Sequence, residues 1–199
     1  MRYIDFRQSF AVPIFTSQDI KLLATDVTPS QLTAWQKNSY ITKIRGGVYV
    51  FNDAKDNITP EELSSVIVEP SYVSLELALF RYNLIPEAIF ATTCISSKNN
   101  RTHDTYLGLF NYQHLKSELY FGYVQQQGKF RPYFIAEPEK AILDFLYLHP
   151  QYNSIEDVKG LRLDIETFND LDHKKLDVYS KAFPSRVNRL IKIIRNLDA

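Results

Sequence analysis

The chain has 199 residues, of which 45% are hydrophobic and 14% aromatic, and its 23 basic side chains balance its 23 acidic ones. This composition excludes an intrinsically disordered chain, and the length allows one large domain or two small ones. A net charge of zero does not by itself indicate a nucleic-acid partner.

The single cysteine, Cys94, excludes an intramolecular disulfide and a multi-cysteine zinc site. Its strand-like context predicts a small buried core residue. The sequence after Met1 lacks the apolar run of a signal peptide, and no segment is apolar for long enough to span a bilayer. We therefore expect a cytoplasmic protein without a membrane partner.

The charges are unevenly distributed along the chain. Residues 1–57 contain 7 Lys/Arg and 5 Asp/Glu, residues 58–176 contain 11 and 16, and residues 177–199 contain 5 and 2. No acid occurs between Asp26 and Asp53, and residues 178–197 form a second acid-free run. Two segregated basic stretches allow a neutral protein to bind a polyanion locally.

Three helices and a hairpin are predicted in the N-terminal part. Residues 2–10 form the first helix, and a short second helix starts at Ser17 as N-cap and reaches about Ala24. The third helix has Thr28 as its cap and Pro29 in its first turn. Residues 40–45 alternate like a half-exposed strand, and the glycine pair at 46–47 suits a two-residue turn into residues 48–51.

The remaining pattern predicts a mixed α/β domain. Its elements are helices at 59–68, 72–82, 137–148 and 184–196, and strands at 88–95, 105–112, 119–126 and 130–135. The last two strands are expected to pair across Gly128. The predicted fold class is α+β, with a winged helix-turn-helix in residues 1–57 followed by a mixed α/β domain in residues 58–199 that ends in a basic amphipathic helix.

The second helix of a helix-turn-helix enters the major groove, and its outward side chains meet bases and phosphates. The candidate DNA-binding residues of this helix and of the hairpin are Thr28, Ser30, Gln31, Thr33, Gln36, Lys37, Lys43, Arg45 and Gly46. Glutamine can pair bidentately with adenine, whereas Lys and Arg at the hairpin bind phosphate or reach the minor groove. The alternative is that the winged helix is a protein-interaction module.

The predicted last helix has an apolar stripe that includes Val187, Leu190 and Ile194. Its opposite face is either the solvated side of a core helix or a second polyanion surface. The cations of that possible surface are Lys181, Arg186, Arg189, Lys192 and Arg195.

An enzymatic alternative rests on Asp144, Asp157 and Lys159, whose spacing resembles that of a metal-dependent nuclease or other phosphodiester enzyme. Asp144 also follows Lys140 by four residues, so that an ion pair on a solvated helix face accounts for both. His103-Asp104 has no nucleophile beside it, and we expect it in a loop. We predict no catalytic residue, metal or cofactor; a stand-alone regulator that senses a ligand is a third alternative.

Residues 32–51, which contain Trp35, Lys37, Tyr40 and Arg45-Gly46-Gly47-Val48-Tyr49, resemble the N-terminal domain of AbiEi-type antitoxins. The likeness continues, in family order, at residues 70–79, 84–88, 101–105, 121–123 and 136–144. At the hairpin, the family often has a second basic residue where this chain has Gly46 or Gly47.

This resemblance implies a winged-helix domain that binds double-stranded DNA, joined to an α/β antitoxin domain. It also implies repression of the protein's own toxin–antitoxin operon through inverted repeats. In such type IV systems the antitoxin opposes a nucleotidyltransferase-like toxin without forming a stable complex with it.

Overall fold

The computed structural model describes residues 1–23, 26–87 and 89–197 and has an α+β fold. The predicted end of the second helix at Ala24 and the predicted start of a strand at Ala88 lie outside the described residues. Within those residues, no helix is long and apolar enough to cross a bilayer.

Residues 1–57, here called the N-terminal unit, follow the order helix, strand, helix, helix, strand, strand. The elements are α1 (Tyr3–Gln8), β1 (Ile14–Thr16), α2 (Ser17–Leu22), α3 (Pro29–Lys37), β2 (Ile41–Arg45) and β3 (Val48–Phe51). Both strand pairs are antiparallel, and the sheet order is β1-β3-β2. Strand β1 has three residues and was not predicted.

Local chemistry explains where these helices and the turn begin. Thr28 caps α3 with Pro29 in the first turn, as predicted, whereas α2 is capped by Thr16 and not by Ser17. The prediction of a two-residue turn is confirmed, because Gly46 and Gly47 have φ values of 49° and 88°. A side chain at Gly47 would also collide with Ser17, since its Cβ would lie 2.7 Å from the Ser17 Oγ.

Strand β3 is buried along its whole length, because both faces of the small sheet are covered. One face of β3 packs into an aromatic cluster beneath the helices. The cluster consists of Phe6, Phe15, Ile20, Trp35, Ile41, Tyr49 and Phe51, the last two of which belong to β3. On the other face, Ile14, Val48 and Val50 belong to the hydrophobic core of the following residues. The hydrophobic packing therefore continues across the predicted domain boundary at residue 57.

Residues 58–197, here called the C-terminal unit, combine a mixed sheet with seven helices in the described part of the chain. The strands are β4 (Ser71–Val73), β5 (Ala91–Ser96), β6 (Arg101–Thr105), β7 (Gly108–His114), β8 (Tyr123–Gln126) and β9 (Tyr133–Ala136). The helices are α4 (Pro60–Ile67), α5 (Leu75–Arg81), α6 (Pro138–Leu148), α7 (Ile155–Gly160), α8 (Ile165–Asn169), α9 (His173–Ser180) and α10 (Ser185–Arg195). The sheet order is β6-β7-β5-β4-β9-β8, with parallel pairs β4–β9 and β5–β7.

Several predictions for this unit are wrong in detail. The predicted helix at 72–82 is preceded by β4, and the predicted strand at 119–126 begins only at Tyr123, after a 3-10 turn. His103 lies in β6 and not in a loop. The pairing of the last two strands across Gly128 and the buried position of Cys94 are confirmed.

Candidate nucleic-acid interface

One face of α3 is exposed and carries no acid. Trp35 and Leu32 pack into the aromatic cluster, which turns Ser30, Thr33 and Lys37 outward at helical spacing. The Lys37 ammonium makes no hydrogen bond or ion pair within the described residues. This face is mostly neutral and polar, with Lys37 as its cation.

Most of the predicted polar side chains at α3, including the outward Ser30 and Thr33, already make hydrogen bonds within the fold. The Gln31 side chain accepts from the Thr28 N–H at 2.9 Å and donates to the Met1 carbonyl at 2.9 Å, so both ends are used. Thr33 donates to the Pro29 carbonyl at 3.0 Å, and the Gln36 amide donates to the Leu32 carbonyl at 3.1 Å. The Ser30 and Thr28 hydroxyls are 2.8 Å apart. Bidentate pairing of Gln31 with adenine would therefore require breaking its capping bonds.

The hairpin formed by β2, β3 and their turn is here called the wing. Lys43 is exposed and lies over the Tyr49 ring, 6.0 Å from its centroid. Arg45 instead contacts Nδ1 of His103 on β6. Gly46 has open space around it and supplies backbone at the tip. The wing is thus joined to the C-terminal unit through Arg45, and Lys43 is its unbound cation.

The contact of Arg45 with His103 was not predicted, because the residues are 58 positions apart and no local pattern links them. Arg45 can only donate to the His103 Nδ1, whereas the Thr102 carbonyl, 2.6 Å from the same Nδ1, can only accept, so the tautomer of the ring decides which of the two is bonded. Burial, and then the nearby charge of Arg45, lower the pKa of His103 and favour the neutral ring, while the bond to Thr102 opposes this shift.

The basic face of α10 is largely used inside the fold. Arg186 donates to the carbonyls of Leu146 and Tyr152 at 2.5 and 2.8 Å and so satisfies the end of α6. Arg189 binds Asn153, and Arg195 forms a 2.8 Å ion pair with Asp177. Only Lys181 and Lys192 of the five predicted cations keep side chains without a partner in the described part of the chain.

The predicted ion pair of Lys140 and Asp144 exists, but it is fully buried and not on a solvated face. The Asp144 carboxylate also accepts hydrogen bonds from the hydroxyls of Tyr72 at 3.0 Å and Ser74 at 2.9 Å. The Lys140 ammonium donates to the Tyr72 hydroxyl at 3.0 Å and lies near aromatic rings, including that of Phe121. Burial raises the pKa of Asp144 and lowers that of Lys140, while their mutual attraction opposes both shifts.

The acids of the nuclease alternative do not meet. Asp144 is bound in the interior, whereas the Asp157 carboxylate accepts the backbone N–H groups of Asn153 and Ser154 as the cap of α7. Across residues 1–23, 26–87 and 89–197, His, Cys, Asp and Glu side chains nowhere form a group of three able to hold a metal ion. The geometry gives each acid a structural partner.

A cleft of about 500 Å³ lies between α2 and the C-terminal unit. Asp19 and Leu22 line it from α2, and Tyr120, Tyr123 and Arg131 line it from the other side. Leu22 is 75% exposed. The volume of the cleft falls in the range of small-molecule sites, which often lie between two structural units.

No protein-family model matches this chain, and a comparison with curated proteins finds no significant match.

Proposed function

We propose that this protein is a DNA-binding transcriptional repressor that also acts as an antitoxin of a type IV toxin–antitoxin system. In this proposal residues 1–57 form a winged helix-turn-helix that binds inverted repeats in the protein's own promoter. The observation that carries the proposal is the acid-free exposed face of α3, which lies within a helix–strand–helix–helix–strand–strand order typical of winged helices.

The helix α3 enters the major groove with Ser30 and Thr33 toward the bases, and Lys37 and Lys43 bind phosphates. So few cations give a modest, strongly salt-dependent affinity. Two copies on the half-sites of an inverted repeat compensate, because the two-fold symmetry of the repeat matches a pair of proteins.

Titration of a fluorescent duplex that carries the protein's own upstream region, followed by anisotropy at several salt concentrations, tests the interface. We expect Lys37→Ala with Lys43→Ala to weaken binding and to reduce the slope of log K against log salt by about two, since each phosphate contact contributes about 0.9. The matched control, Lys159→Ala with Lys174→Ala, removes the same charge from exposed positions of the C-terminal unit. If the two double variants bind alike, α3 and the wing are not the interface.

The antitoxin half of the proposal rests on the resemblance of residues 70–79 and 136–144 to AbiEi-type antitoxins. Tyr72 and Ser74 of the first block and Lys140 and Asp144 of the second meet in the buried cluster, so the residues that carry the resemblance also build the interior. Opposition to a nucleotidyltransferase-like toxin would then belong to the C-terminal unit and need no stable complex.

Growth of cells that express such a toxin from the neighbouring reading frame tests this half. We expect the full chain to restore growth, and the Lys37→Ala, Lys43→Ala variant to restore growth while it fails to repress the promoter. A chain that represses but never restores growth would refute the antitoxin half alone.

A regulator that senses a small molecule is a second candidate, favoured by the cleft beside α2. A ligand there would contact a helix of the proposed DNA-binding unit and so alter DNA affinity. Compounds that raise the Tm and change the DNA titration would support this candidate, and a screen without such compounds would speak against it.

A further inference from the structure

The tip of the wing touches the edge of the larger sheet. Arg45 contacts His103 of β6, which is an edge strand in the sheet order. Consecutive side chains of a strand point to opposite faces, so Arg101 shares the face of His103 and Asp104 takes the other. The charge of Arg101, like that of Arg45, lowers the pKa of His103, which agrees with a position on the same side.

The segment that leads into β6 is exposed and cationic. Residues 97–102 are all exposed, and no acid occurs between Glu87 and Asp104. The side chains of Lys98 and Arg101 form no hydrogen bond or ion pair with any described residue. The loop is nevertheless held in place, because the Asn100 side chain accepts the His114 N–H at 2.7 Å.

We infer that Lys98 and Arg101 form a second contact with the phosphates of DNA, which extends the surface of the wing onto the C-terminal unit. This inference rests on the proposed function. The wing has a two-residue turn and one unbound cation, so it offers little charge of its own. The contact of Arg45 with His103 brings the wing against β6, so that the cations at 43 and 45 and those at 98 and 101 lie on adjoining segments. Several neighbouring cations suit a sugar–phosphate backbone, where charges recur regularly along the strand.

Such contacts give affinity and register but no sequence preference. The inferred role is therefore distinct from that of α3. Loss of the loop cations weakens binding to the operator and to a scrambled duplex by the same factor, whereas loss of a base contact affects the operator more strongly.

The test uses the full chain, the labelled upstream duplex and a scrambled duplex of equal length, each titrated over a range of salt concentrations. We expect Lys98→Ala with Arg101→Ala to lower the salt slope by about two and to weaken binding to both duplexes about 10- to 30-fold near 0.15 M salt. Lys159→Ala with Lys174→Ala is the charge-matched control at two exposed positions and should bind as the unmodified protein does. Lys98→Gln with Arg101→Gln keeps longer side chains and should repeat the loss.

Equal slopes for the loop variants and the control, with the unmodified protein binding well, would overturn this inference and leave the proposed function intact. A loss confined to the operator duplex would also overturn it, because phosphate contacts do not distinguish sequences. If the unmodified protein binds neither duplex, the inference and the DNA-binding proposal fail together.

Discussion

Replacing Asp144 by Asn should destabilise the protein severely, because it leaves the Lys140 ammonium buried without a counter-charge. Both side chains have no solvent exposure. Breaking a buried pair from one side costs about 3–5 kcal/mol, whereas an exposed pair at this helical spacing contributes about 0.3–0.5 kcal/mol. The roughly tenfold difference separates a buried cluster from a solvated helix face.

Asparagine nearly preserves the volume and can still accept from Tyr72 and Ser74, so the loss reports the charge and not a cavity. Adding Lys140→Met to Asp144→Asn removes the second charge and should recover most of the lost free energy of unfolding. The recovery measures the coupling between the two sites as a double-mutant cycle.

Urea unfolding followed by far-UV circular dichroism gives these free energies. Asp5→Asn, at the exposed pair of Asp5 with Arg2, is the control and should leave the unfolding midpoint unchanged. A small loss for Asp144→Asn, similar to that of the control, would refute the reasoning. So would a double variant as unstable as Asp144→Asn alone.

Two further predictions concern the turn and a histidine. Gly47→Ala should lower the free energy of unfolding by more than the about 1–2 kcal/mol that a left-handed backbone costs, because the added Cβ also collides with Ser17 of α2. Gly46→Ala should show only the backbone cost, since open space surrounds Gly46. Equal losses for the two variants in urea unfolding would contradict this prediction. Burial lowers the pKa of His149, but the Glu76 carboxylate 3.2 Å away helps to hold this pKa above its usual value of 6.5. The contribution of the His149–Glu76 pair to folding stability is therefore fully present below pH 6.5 and is lost as the pH rises through the raised pKa. The stability gap between the unmodified protein and His149→Gln should therefore close between acidic and alkaline pH, and a gap that stays constant over this range would contradict the reasoning.

Elements with strong local signals were predictable from the sequence. Thr28-Pro29 marks the start of α3, and Gly46-Gly47 marks the hairpin, because capping and positive φ depend on neighbouring residues alone. Strand β4 was missed because it has three residues, all buried, and its apolar run merges with that of α5. An apolar run without alternation does not distinguish a buried strand from a helix.

The contacts of the candidate site and the burial of the Lys140–Asp144 pair were less predictable, because they depend on residues from distant parts of the chain. Lys140 and Asp144 have the spacing of a surface ion pair, and only the packing of Tyr72 and aromatic rings around them makes the pair internal. Arg45 and Arg186 read as free cations in the sequence, yet each binds a group more than 30 positions away. Charge alone does not reveal whether a guanidinium is already satisfied.

The double burial of β3 has a genetic consequence. Residues 1–57 alone would expose Ile14, Val48 and Val50, so the N-terminal unit is not expected to survive as an isolated fragment. The whole chain should unfold in one step, with the fluorescence of Trp35 and the circular dichroism changing together. A destabilising mutation in the interior of the C-terminal unit would then lower the abundance of the whole chain. Under the proposed function, such a mutation would derepress the promoter although every side chain of the DNA interface is unchanged.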